Sequence, residues 1–166
     1  MSLLRPATPD DAAAIDTLLA ASYPRLLAED YARDVLAAAL PRMVRAQPAL
    51  LASGTFYLLF STDGALVAAG GWTRQAPGRT GTVQPGVGNI RHVAAHPDHL
   101  RQGHARPLMQ HIIQDARRCG VTRLDCLSTL TAVPFYASLG FDRLANLDVA
   151  MGPDITFPSV RMVRAV

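Results

Sequence analysis

Lysine is missing from this 166-residue chain: all 16 basic side chains are arginine. Without a lysine no Walker-type phosphate loop can be assembled, which excludes that class of nucleotide site. Glutamate is almost missing, since Glu29 is the single glutamate among 13 acidic residues, so a glutamate base can only be Glu29. Cysteine is scarce. Cys119 and Cys126 fall in different elements, which fits neither a disulfide framework nor a zinc knuckle and predicts reduced thiols in a cytoplasmic setting. No apolar run is long enough to span a bilayer: "LLASGTFYLLF" is broken by Ser53-Gly54-Thr55, and no signal-type segment opens the chain. No membrane partner is expected. The net charge of +3 suits an anionic ligand. It is modest for a nucleic-acid binder, and the arginines are scattered without a binding motif, so no nucleic-acid partner is expected either.

What is present reads as a single domain over residues 1–166, a length that buries enough surface to fold without a staple. Leu3-Leu4 begin a short strand. Thr8-Pro9-Asp10-Asp11 is a helix start, and Ile15, Leu18, Leu19 and Ser22 repeat at helical spacing. A second helical stretch covers about 29–47, with Pro41 as an interruption. "TFYLLFSTDGALVAAGGWT" gives two strands joined at Thr62-Asp63-Gly64, a hairpin. "RQAPGRTGTVQPGVG" is a loop and "NIRHVAAH" a strand. Next comes a helix with Leu108, Met109, Ile112, Ile113 and Ala116 on one face and Gly120 as its stop. "VTRLDCLST" is a strand, "TAVPFYASLG" a short helix with Thr131 as its N-cap, and "FDRLANLDVAM" and "FPSVRMVRAV" are the last two strands. The order is β-α-α-β-β-β-α-β-α-β-β, a mixed α/β layer with helices on both sides.

The chemistry concentrates in "HPDHLRQGHARPLMQHIIQDARRCG", residues 96–120. A glycine at Gly103 precedes an apolar-periodic helix. A helix start leaves unpaired N–H groups with partial positive charge, and glycine lets a ligand approach the backbone, which together make a phosphate site. The bland alternative is a tight turn that only joins strand to helix. All five histidines lie between 92 and 111, yet they lack the cysteine or acidic companions of a metal site, and no metal is expected.

Ala95-His96-Pro97, then Leu100-Arg101-Gln102-Gly103-His104-Ala105, then Thr131 through Phe141 with its "PFYASLGF" phrase, resemble the GNAT superfamily of acetyl-CoA-dependent N-acetyltransferases along the whole chain. The resemblance implies a mostly antiparallel central sheet of about six to seven strands flanked by about four helices. It implies that Val93, Ala94 and Ala95 offer their backbone to the pantetheine arm of acetyl-CoA like an added strand. It implies that Arg101, Gln102, Gly103, His104, Ala105 and Arg106 wrap the pyrophosphate, with Thr131 at a position where relatives often contact the cofactor through asparagine. Leu100 stands where a glutamine or arginine is usual, and Arg91 where relatives often carry a glutamate base.

Transfer of an acetyl group to an amine requires a neutral amine, a donor to the carbonyl oxygen as it gains charge, and a stabilised or protonated leaving thiolate. The resemblance implies that a strand N–H near Val93 is the oxyanion donor and that Tyr136 is the acid at the sulfur. From the residues alone Tyr136 reads as a core aromatic beside Phe135 and Phe141. His92 is the nearest titratable group for a base; the alternative is an amine that arrives already neutral. Trp72 either lines the acceptor pocket or packs at a sheet edge. Tyr23, Tyr31, Arg74 and the acids Glu29, Asp30 and Asp34 are candidates for the acceptor site, and the acids favour a cationic amine. The expected reaction is acetyl transfer to a primary amine of a small molecule or peptide by direct attack in a ternary complex. A non-catalytic acyl-CoA sensor on the same fold is the alternative, and a homodimer is left open.

Overall fold

The computed structural model describes residues 1–78, 81–100 and 102–166. Its seven strands are β1 (Leu3–Pro6), β2 (Phe56–Phe60), β3 (Leu66–Thr73), β4 (Val87–Ala95), β5 (Arg123–Thr129), β6 (Asp142–Gly152) and β7 (Ile155–Ala165). They form one sheet in the order β1-β2-β3-β4-β5-β7-β6. Every neighbouring pair is antiparallel except β4 and β5. The helices are α1 (Ala12–Leu26), α2 (Arg33–Met43), α3 (Pro48–Leu51), α4 (Ala105–Arg118) and α5 (Val133–Ser138). The architecture is the mixed, mostly antiparallel one expected from the sequence, with five helices among the described residues.

Alternation along the strands sorts side chains to the two faces. Tyr57 and Leu59 of β2 point to the face where Leu108, Met109, Ile112 and Ala116 of α4 pack, with Tyr136 of α5. Phe56 and Leu58 point to the other face, against Ile15, Leu18 and Leu19 of α1 and Leu50 and Leu51 of α3. Leu36, Ala39 and Met43 of α2 close on Phe157 of β7. Fully burying each such aliphatic chain stabilises by about 1.5–3 kcal/mol.

Pro41 lies within α2 and does not break it. It falls near the C-terminal end, so its missing N–H removes one bond of the ladder, while Val44 N–H still closes on Leu40 O at 3.0 Å and Met43 stays buried in the core. The stops of α4 and α5 use one device. Gly120 and Gly140 take positive φ (84° and 87°), and the next residue donates back across the helix end: Val121 N–H to Ala116 O at 3.0 Å and Phe141 N–H to Tyr136 O at 3.1 Å. Such a stop needs a left-handed residue, which explains the glycine in "SLGF".

At the N-terminus Asp11 accepts two hydrogen bonds from Arg5, at 2.8 and 2.9 Å, and another from Thr8 N–H at 2.8 Å. The Arg5 guanidinium holds the Asp11 carboxyl down at about 2. A carboxyl whose folded pKa is depressed contributes stability above its unfolded pKa and loses it as pH falls through the folded value. Arg5 is 37% exposed, so solvent screening keeps the contribution near ~1 kcal/mol. Asp11→Asn is expected to lower stability by ~1 kcal/mol at pH 7. In urea titrations across pH, the gap from wild type should close as pH falls from about 4 to about 2. A gap that persists at pH 2 excludes the ion pair as its source.

Candidate active site

β4 and β5 pair in parallel only from Val87↔Arg123 to Asn89↔Asp125. Beyond that point β5 continues along β7 as far as Thr129↔Ser159, while β4 stays with β3 as far as Ala68↔Ala95. The parting coincides with a β-bulge. Ala69 faces Ala94 and Gly71 faces Arg91, so β4 carries one extra residue, and His92 turns to φ 46°. A bulge bends and twists its strand. Gly70 makes room for this one: a Cβ there would lie 2.8 Å from Val93 Cγ2 and 3.2 Å from Val93 Cα.

The fork opens a cleft of about 480 Å³ that runs between the two faces of the sheet. Val93, Ala94, Ala95, Gly103, His104, Ala105, Arg106 and Thr131 line it, as do His92 and Tyr136. Arg101 lies outside the described residues. Gln102 stands beside the cleft, its Oε1 at 3.4 Å from His99 Nδ1 and 3.1 Å from His104 Nε2, two ring N–H donors that it can accept.

The start of α4 has no side-chain cap at His104. Its first amides therefore lack partners within the helix and face outward with the positive end of the helix dipole. Gly103 sits at φ 77°, and a Cβ built on it meets nothing within 4 Å. That arrangement accepts an anion. Arg106, at the rim, donates to Ser138 Oγ at 2.8 Å.

Tyr136 packs in the core and also lines the cleft. Its ring is edge-on to Phe135 and Phe141, at 5.5 and 5.4 Å between centroids. Tyr136 lines the cleft together with Cys126, and burial keeps the phenol protonated well above its ordinary range. Burial likewise pushes the Cys126 thiol up to about 12. His92 is the reverse case: burial, with the Arg91 charge beside it, pulls it down to about 4, so its imidazole is neutral at working pH. Gln47 fixes its tautomer. Gln47 Oε1 accepts from Arg91 Nη2 at 3.1 Å, so its Nε2 is the atom 3.3 Å from His92 Nε2 and donates there, leaving the ring proton on Nδ1.

Other sequence expectations are corrected. Thr131 does not cap α5: Ala132 is the N-cap, and the Thr131 hydroxyl donates to Asp30 Oδ2 at 2.6 Å, tying the α1–α2 connection to the β5–α5 turn. Glu29, Asp30 and Asp34 do not line the cleft. Tyr31 is a structural clamp, donating to Pro158 O at 2.7 Å and accepting from Leu130 N–H at 2.8 Å. Trp72 fits both of its readings: it is buried, its indole N–H donates to Asp115 of α4 at 2.9 Å, and it lines a second cavity beside Gln47 and Arg91. His96 accepts from Asp98 N–H at 3.2 Å and caps the turn after β4.

Ser22 is the residue that sequence reasoning placed without seeing its use. It is fully buried, lines the cleft from α1, and its hydroxyl has no partner. An unpaired buried hydroxyl costs about 1–3 kcal/mol, so a ligand atom that bonds it recovers free energy. The signal was available: a serine occupying an apolar-phase position of a helix.

The forked strand pair and the uncapped start of α4 line one and the same cleft. The chain belongs to the acetyltransferase (GNAT) family, whose model matches residues 14–141, and it is an acyltransferase that uses acetyl-CoA. Similar solved structures share the fold. One is a GCN5-related N-acetyltransferase from Rhodopseudomonas palustris, 20% identical with a TM-score of 0.75, covering 100% of this chain and 96% of that one. Another is the PaiA N-acetyltransferase of Thermoplasma acidophilum in complex with coenzyme A, 11% identical with a TM-score of 0.73, covering 100% and 99%. A third is N-acetylglutamate synthase of Neisseria gonorrhoeae, complexed with coenzyme A and N-acetyl-glutamate. It is 21% identical with a TM-score of 0.64, covering 99% of this chain and 35% of that one. The chain matches no functionally curated protein by sequence. No helix among the described residues is long and apolar enough to cross a membrane.

Proposed function

We propose that the protein transfers the acetyl group of acetyl-CoA to a primary amine of a small molecule or peptide, by direct attack within a ternary complex. The observation that carries this is the fork: β4 loses its β5 partner after Asn89, so the backbone from His92 to Ala95 presents a strand edge to the cleft. Val93, Ala94 and Ala95 pair with the amides of the pantetheine arm along that edge. The amides of Gly103 to Arg106 take the pyrophosphate. At the bulge, the Val93 N–H faces the thioester carbonyl and stabilises its oxygen as charge develops.

The nitrogen lone pair attacks the carbonyl carbon, the C–N bond forms, the nitrogen then gives up one of its protons to solvent, and the C–S bond breaks. Tyr136 O–H, from a ring that lines the cleft, donates to the departing thiolate. Its raised pKa makes it a hydrogen-bond donor to that charge more than a source of a free proton. His92 is too weak a base, at about 4, to take the proton of an ammonium, and its Nε2 lone pair is occupied by Gln47. The amine therefore gives its proton to solvent before attack, and the uncharged His92 ring flanks it without repulsion. The free thiols Cys119 and Cys126 fit a reducing, cytoplasmic setting.

Cys126 is the cysteine that lines the cleft, and a thiol held near 12 has almost no thiolate at neutral pH, so it is a poor nucleophile for a covalent route. Initial rates with acetyl-CoA and amine both varied, read by thiol release, are expected to give intersecting lines. Parallel lines, or an acetyl group on Cys126 by mass spectrometry after incubation with acetyl-CoA alone, overturn direct attack.

A further inference from the structure

Arg91 occupies β4 one residue before the bulge. It is half-buried, and no ion pair neutralises it among the described residues. Its protein partners are neutral: Nη1 donates to Thr73 Oγ1 and Nη2 to Gln47 Oε1, each at 3.1 Å. A guanidinium has five N–H donors, so three remain for something else. Arginine cannot shed its charge, and a desolvated charge without a counter-ion is costly.

Arg91 lines a second cavity, of about 560 Å³, on the far side of Gln47 from the acetyl-CoA cleft. Arg74 lines it as well, lying over the Trp72 ring at 5.7 Å from its centroid. Gln47, Thr55 and Gln75 add neutral donors and acceptors, and none of the described lining residues is acidic. Gln47 lines this second cavity and touches His92, which lines the acetyl-CoA cleft at the bulge. A ligand seated on Arg91 therefore lies next to the position where the thioester carbonyl meets Val93.

We infer that the acceptor is an amine that carries its own carboxylate, with the carboxylate seated on Arg91 and the outer charge of Arg74, and the amine directed past Gln47 and His92 to the bulge. This presupposes the transfer reaction proposed above. It replaces the cationic acceptor that Glu29, Asp30 and Asp34 suggested, because those acids line neither cavity. A planar guanidinium fork matches a carboxylate, and a cationic amine with no anionic group would meet two positive charges on entering.

Trp72 is the single tryptophan of the chain and lines this second cavity, so its fluorescence reports occupancy. Glutarate, a dicarboxylate without an amine, is titrated against the full chain beside its neutral diamide, with thermal shift as a second readout. Glutarate is expected to bind at least about tenfold more tightly than the diamide, and Arg91→Gln to weaken it by at least about tenfold, as for loss of a charged hydrogen bond. Arg74 is exposed, so Arg74→Gln keeps the fold and should weaken glutarate several-fold even if Arg91→Gln does not fold. Thiol release with aspartate, glutamate, β-alanine and γ-aminobutyrate, each against its amide, should favour the acids through KM, and Arg91→Gln should erase that preference. Equal binding of glutarate and diamide, or glutarate affinity unchanged in both variants, overturns the inference. An acetyl-CoA melting shift with no preference for acids defeats the acceptor class alone. Glutarate binding without any acetyl-CoA shift defeats the transfer reaction and leaves only an anion site.

Discussion

Tyr136→Phe is expected to lower kcat by roughly 10²-fold, the loss typical of removing a group that donates to a leaving atom. The substitution keeps the ring, so the edge contacts to Phe135 and Phe141 at 5.5 and 5.4 Å survive and the melting temperature should barely move. Acetyl-CoA affinity should stay near wild type, because the hydroxyl acts on the sulfur only as charge collects there. The pH–rate profile adds a second check. Burial holds the phenol protonated well above its ordinary value, so its donor should persist through the working range with no loss of rate on its account toward neutral pH. Wild-type kcat in the variant, with an identified acceptor, reduces Tyr136 to a packing residue.

The second large effect belongs to Gly103→Val. In the wild type, acetyl-CoA at ~100 times its dissociation constant should add about 2.7 kcal/mol of stability, read as a rise in Tm. At Gly103, with φ at 77°, a side chain would project into open space in front of the α4 amides, where the pyrophosphate is proposed to sit. Valine should therefore abolish most of the acetyl-CoA shift while the chain still folds. The unliganded protein should lose about 1–2 kcal/mol from the left-handed backbone alone. Gly103→Ala separates the two causes, since one methyl carries most of the strain and little of the obstruction. A full acetyl-CoA shift in the valine variant removes this turn from the phosphate site.

The sequence made the strands and the long helices legible because their signals are local. Period-two alternation in "TFYLLF" and the apolar stripe Leu108, Met109, Ile112, Ile113 and Ala116 each identify an element and its buried face. The two glycine stops were readable for the same reason, as left-handed residues at helix ends. What stayed hidden depends on partners far along the chain. Thr131 looked like a helix cap, yet its hydroxyl goes to Asp30, 101 residues away. Asp30 and Asp34 stand four residues apart, one face of a helix on paper, but nothing in that spacing says which cavity the face overlooks. Gln47 carried no motif, and its use emerges only when α3 docks its leading residue against β4, where one amide meets Arg91 and His92 together. The bulge was similarly invisible, because it is a mismatch between two strands and belongs to neither alone.

Asp115 gives the long helix a property that its sequence face does not advertise. One carboxylate oxygen accepts both Tyr57 O–H at 2.7 Å and Trp72 Nε1–H at 2.9 Å, so α4 is pinned to β2 and β3 at a single point. That point is ten residues from Ala105, about 15 Å along the helix axis. A stiff rod held there behaves as a lever with a fixed pivot: a small roll at the pin re-aims every amide at the far tip. Angular tolerance at the tip is thus set by two hydrogen bonds nearly three turns away, together with the buried Leu108, Met109 and Ile112 between pin and tip, all made when the chain folds, with none of that alignment left to be found when the carrier arrives.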